Sequence, residues 1–172
     1  MRLALCVLSL LFLFTFNLTG QASDKGKKLK IYGLPPFERA ILCTKHYEGW
    51  HGGRKHLPYI GYGHKLLPGE RLTYKISRAQ GDSLLRADIR KLCRMFRRFG
   101  RDSVLLACLA YQVGPYRLLG SGKLPKSKLI RKLERGDRDI FKEYVSFRKW
   151  KGKVVPSIER RRRVEFALLF EP

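Results

Sequence analysis

Glu48 is followed by Gly49 and Trp50 and, after a short loop, by Tyr59-Ile60-Gly61-Tyr62-Gly63-His64. An acid at the end of a helix with a glycine-rich aromatic turn beyond it points to carbohydrate chemistry more than to any other use of a carboxylate. The helix is read from Phe37 to Glu48. Phe37, Ala40, Ile41 and Thr44 share one face at the i, i+3, i+4, i+7 spacing, and one further step of four lands on Glu48. Pro35-Pro36 marks the start and Gly49 the stop. Partial burial and the negative end of the helix dipole both disfavour the charged carboxylate, which is what a general acid needs. The commoner fate of such a residue is a partly solvated helix-end glutamate.

The elements around it predict a fold that is α+β, mostly α. Residues 50–70 hold five glycines, two prolines and three histidines, and read as loops and short strands, the only stretch with strand character. Ser77 with Gln80 forms a capping box. The helix behind it carries Leu84, Leu85, Ile89, Leu92 and Phe96 to about Arg98. Ser103 is read as the cap of an almost wholly apolar core helix, Val104 to Val113, ended by Gly114-Pro115. Helices are also expected over 126–134, over 137–150, and from Pro156 to Phe170.

Composition narrows the function classes. Lys and Arg number 37 against 14 acids, a net charge of +23, so the chain is drawn to polyanions. Zinc-finger spacing, a basic zipper and an RNA-binding aromatic signature are all missing from the sequence, which argues against specific nucleic-acid recognition. Met1-Arg2, the apolar run from Leu3 to Phe16 and Gly20-Gln21-Ala22 read as a signal peptide over 1–22, with an uncleaved anchor the weaker alternative. This points to an exported, periplasmic or secreted protein. A flexible basic segment, 23–34, is expected before a single domain at 35–172. Cys43, Cys93 and Cys108 show neither metal-ligand spacing nor a redox pair, and are read as buried free thiols in preference to a Cys93–Cys108 bridge.

The order of motifs over residues 35–170 resembles the phage-type lysozymes, the endolysin family of muramidases, and in particular the exported lysozyme-like proteins of conjugative transposons. The motifs are Glu48-Gly49; Gly61-Tyr62-Gly63-His64; Gln80, Leu84, Leu85 and Asp88; Tyr111-Gln112-Val113-Gly114; Lys132-Leu133 and Gly136-Asp137; Phe147, Trp150, Gly152 and Pro156; and Arg161-Arg162 with Glu165 and Leu169. The resemblance implies a lysozyme-like two-lobed fold with a small β-rich lobe, a helical lobe and a glycan-binding cleft between them. It implies cleavage of the β-1,4 bond between N-acetylmuramic acid and N-acetylglucosamine in peptidoglycan, with Glu48 in the acid's place and with no metal or organic cofactor, by a monomer that could serve a conjugation or envelope apparatus.

The family's usual catalytic set is Glu, eight residues, Asp, five residues, Thr. Here Leu57 stands nine positions after Glu48, Tyr59 precedes Ile60-Gly61, and no acid occurs between Glu48 and Glu70. The second carboxylate of a two-acid glycosidase is missing locally. A hydroxyl or imidazole from Tyr59, His51, His56 or His64 is one replacement. Attack by the sugar's own C6 hydroxyl, a lytic transglycosylase, is the next. Glycan binding without cleavage is the third. The residues assigned are Glu48 and Tyr59 for catalysis, and Trp50, Gly61, Tyr62, His64 and Gln112 for the glycan. Against these stand blander roles: His64 as a structural histidine, Tyr62 and both tryptophans as packing residues, and Gln112 as a buried amide in a local network. The Arg160–Arg163 run reads as a solvated helix face, or as the source of one arginine that reaches Glu48.

Overall fold

The computed structural model describes residues 31–172. The predicted signal peptide and most of the predicted flexible segment lie outside the described residues; within that segment Ile31–Gly33 forms one 3₁₀ turn. Residues 36–172 form one compact unit. Its elements are α1 (Pro36–Glu48), a 3₁₀ turn (Arg54–His56), the hairpin β1 (Tyr59–Ile60) and β2 (His64–Lys65), α2 (Arg78–Met95), a 3₁₀ segment (Arg97–Asp102), α3 (Ser103–Val113), α4 (Tyr116–Leu119), α5 (Lys128–Glu134), α6 (Phe141–Val145), a second hairpin β3 (Lys149–Trp150) and β4 (Lys153–Val154), and α7 (Pro156–Leu169). The fold is α+β and mostly α.

Helix α3 forms the centre because its sequence leaves no polar face. Six consecutive residues, Leu105 to Ala110, are buried, and α1, α2 and α7 all pack on it. A helix apolar all round is stable only in such surroundings. Helix α1 buries Ala40, Ile41, Cys43 and Thr44, while Phe37 is only half-buried. Helix α2 is fixed at its start by the expected capping box. The Gln80 amide donates to Ser77 Oγ at 3.1 Å and the Ser77 amide to Gln80 Oε1 at 2.8 Å. A surface network ties α2 to α1: Arg86 grips Glu38 with both Nη atoms (2.7 and 2.8 Å), its Nε holds Asp82, and Lys45 pairs with Asp82 as well.

Four expectations need correction. The helix expected over 137–150 is only five residues long, because the chain turns at Ser146 and forms β3 and β4. Strand character is therefore not confined to 50–70. Ser103 lies inside α3, with Asp102 at the cap position and no side-chain cap bond. Trp150, read as a packing residue, is 66% exposed. Among the described residues no helix is long and apolar enough to cross a membrane.

Candidate functional site

Glu48 is the last residue of α1, and Gly49 leaves the helix with φ +67°. The carboxyl group is neither sealed in nor free: 19% of the side chain is exposed. Arg161 Nη1 donates to Oε1 at 2.7 Å. The arginine run is thus split by the helical turn. Arg160 and Arg163 face solvent, while Arg161 and Arg162 point inward. Arg161 Nε donates to Glu165 Oε1 at 2.6 Å, Arg162 Nη1 to Glu165 Oε2, and the Tyr144 hydroxyl to the same Oε2 at 3.1 Å. Glu165 is wholly buried. A buried carboxylate survives only when paired and hydrogen-bonded, and here two guanidinium groups and a phenol supply the partners. Burial works against the charge of Arg161, but Glu165 and then Glu48 outweigh it and hold the guanidinium firmly protonated. The Tyr47 ring lies under the Arg161 guanidinium, 5.4 Å from ring centre to Cζ.

The other wall is the β1–β2 turn. Gly61 (φ +60°) and Gly63 (φ +92°) both take left-handed backbone. A Cβ built on Gly63 would lie 3.5 Å from Glu48 Oε2 and 3.5 Å from the Tyr111 hydroxyl, so the turn passes directly by the carboxylate. The Tyr111 hydroxyl donates to the Tyr62 carbonyl at 2.9 Å and ties α3 to the turn. Burial first, then the charges of Asp88 and Glu48, keeps that phenol neutral, far above its ordinary titration range.

The candidate residues divide on inspection. Glu48 and the Gly61–Gly63 turn are adjacent. His64 is buried, with Nδ1 on Asp88 at 2.7 Å and Nε2 on Glu70 at 3.2 Å, so both ring nitrogens are already engaged. Gly61 serves packing. Its backbone pairs with His51, and a Cβ there would meet the Gly81 Cα at 3.2 Å. Trp50 stands edge-on to Tyr62 at 5.1 Å, with the Arg78 guanidinium over its ring at 4.3 Å. Tyr59 is 45% exposed and makes no hydrogen bond to Glu48. Gln112, read as a buried amide, is exposed, because the polar end of α3 emerges from the core. Arg161, Glu165 and Tyr111 build the site more directly than Tyr59 or His64. Glu165 and Tyr111 were visible in the sequence only as members of the ordered motifs, whereas Arg161 lies in the run from which one arginine was expected to reach Glu48. Among the described residues no group of three or more His, Cys, Asp or Glu could hold a metal ion.

The carboxylates around Glu48 are all committed. Asp88 and Glu70 hold His64, and Glu165 holds two arginines. The arrangement therefore presents one partly exposed acid, held by a cation through Oε1, with Oε2 beside the glycine turn.

Comparison with known proteins agrees with this architecture. The family model described as phage lysozyme matches residues 44–165. Among solved structures, the endolysin from Escherichia coli O157:H7 phage FAHEc1 is similar in fold, with a TM-score of 0.59 and 19% sequence identity over 77% of this chain and 90% of that one. No curated protein matches the chain significantly. The family match begins at Thr44, four residues before the exposed acid, and ends at Glu165, the buried acid that orients its arginine; the chain belongs to the phage lysozyme family.

Proposed function

We propose that this chain, a peptidoglycan-lytic enzyme by family, is a glycosidase that cleaves the β-1,4 bond between N-acetylmuramic acid and N-acetylglucosamine, with Glu48 as general acid. The observation that carries the reading is the asymmetry of the Glu48 carboxyl group. Oε1 is taken by Arg161, while Oε2 faces the Gly63 turn. The proton then resides on Oε2 and passes to the glycosidic oxygen as the C1–O bond breaks. Arg161, backed by Glu165, fixes the orientation of the acid, which is worth as much as its acidity. Tyr62 and the exposed amide of Gln112 are the proposed glycan contacts, with Trp50 supporting Tyr62 from behind. Tyr59 keeps an exposed hydroxyl that makes no hydrogen bond among the described residues, and is the proposed partner of the attacking water.

A second reading is favoured by one observation: Asp88 and Glu70 are both engaged by His64, and Glu165 by two arginines. With one acid alone, the C6 hydroxyl of the muramic residue attacks its own C1. Its proton returns to Glu48, and the product is a 1,6-anhydro sugar with no water consumed. Mass spectrometry of digested peptidoglycan separates the two. Free reducing muramic acid marks the hydrolase and anhydro ends mark the transglycosylase. In either case Glu48→Gln is expected to lower product formation at least about a hundredfold while leaving the fold intact. Wild-type rates in that variant would overturn the assignment of Glu48.

A further inference from the structure

Helix α5 carries a second charged feature, remote in sequence from Glu48. Lys128, Arg131, Lys132 and Arg135 recur at i, i+3, i+4 and i+7, so they share one face. The opposite face is anchored in the core by Leu129 and Ile130. Together with Glu143 of α6, the four cations line a groove of about 490 Å³. Like charges three and four apart destabilise a helix, and Lys128 also faces the positive end of its own helix. Lys132 is paired with acids: Asp137, Glu143 and the main chain of Asp139 converge on its ammonium group. That contact also occupies Glu143, the one acid lining the groove. Lys128, Arg131 and Arg135 form no ion pair with any acid among the described residues.

We propose that this groove binds the phosphate groups of a phosphodiester-linked polymer of the cell envelope. Two arginines favour phosphate, because the guanidinium fork matches two of its oxygens at once. The row spans about 10 Å at the helical rise. That exceeds one phosphate group, so a chain bearing repeated phosphates engages successive cations. Lys132, held by its acids, is the fixed centre of the row. Such a site would keep the protein on the envelope between cleavage events. It stands independently of the role of Glu48, because the polymer carries no bond for Glu48 to cut.

The test is calorimetric titration of the full chain with poly(glycerol phosphate) at moderate salt. Arg131→Gln/Arg135→Gln is compared with Lys149→Gln/Lys151→Gln, which removes the same charge from the exposed β3–β4 hairpin. All four side chains are exposed, and circular dichroism checks that each fold is retained. The groove variant is expected to lose about tenfold or more in affinity, the hairpin variant less than about threefold. Inorganic phosphate is expected to displace the polymer better than chloride at equal ionic strength. Equal losses in the two variants would overturn the site in favour of net charge alone. Failure of phosphate to compete would overturn the phosphate specificity. Tighter binding of single-stranded DNA, lost in the same groove variant, would overturn the assignment to an envelope polymer and make this a nucleic-acid site.

Discussion

At the scale of single residues, His64 shows how one side chain fixes the turn beside the acid. Burial lowers the affinity of its ring for a proton, but Asp88 and Glu70 more than offset this and raise its pKa above the ordinary 6.5. The folded state therefore holds this proton more tightly than the unfolded chain. The resulting stability is complete below about pH 6.5 and is lost as pH rises through the folded value. Its acid limit comes from Glu70, which the Leu67 amide and then His64 hold below the ordinary 4.5. His64→Asn is accordingly expected to cost about 2 kcal/mol between those limits and progressively less toward pH 8 and 9, read from urea unfolding at a series of pH values. A cost that is flat with pH would show that the ring acts by shape alone. The sequence left His64 between a ligand role and a structural one. Its two carboxylate partners lie six and twenty-four residues away, and only the first is near enough to be suspected from local spacing.

At the scale of elements, the contact between α2 and the turn depends on a glycine in a helix. Gly81 is buried in the first turns of α2, and a Cβ there would lie 2.6 Å from Trp50 Cζ3 and 2.9 Å from Cη2. Alanine normally stabilises a helix relative to glycine by about 0.5–1 kcal/mol. Here the methyl group displaces an indole already clamped by Tyr62 and Arg78, and overpacking of this kind costs about 1–3 kcal/mol. Gly81→Ala is thus expected to lower the melting temperature in calorimetry, the reverse of what helix propensity predicts. Unchanged or raised stability would mean that Trp50 moves without cost. The same contrast explains which elements were legible in the sequence. Helices α2 and α7 announce themselves through Ser77 with Gln80 and through Pro156, local signals that do not depend on the rest of the fold. The β3–β4 hairpin does not, because strands of two residues have no period to detect. Lys149-Trp150 and Lys153-Val154 register only once Lys151 and Gly152 adopt positive φ and bring them together.

At the scale of the whole molecule, the core is built without covalent crosslinks among the described residues. Cys43, Cys93 and Cys108 are all free thiols, with Cys93 only half-buried. Burial, followed by the charge of Glu165, pushes the Cys43 thiol up to about 12 and raises that of Cys108 well above its usual value. Thiolate is the reactive form, so iodoacetamide at pH 8 is expected to modify Cys93 first and Cys43 and Cys108 only on unfolding. Mass spectrometry of peptides from native and denatured protein reads this directly, and early labelling of Cys108 would contradict it. Glu48 stood out in the sequence because the helix end and glycine turn that flag it are local, whereas of the cluster that orients it only an arginine of the 160–163 run was foreseen as a partner. Arg161 lies 113 residues from Glu48, a separation that no local pattern in the sequence spans. This distance has a consequence for synthesis. The acid leaves the ribosome 113 residues before the arginine that aims it. A nascent chain that stops between the two residues therefore carries the carboxyl group without its bearing, and the site comes into being only when α7 docks.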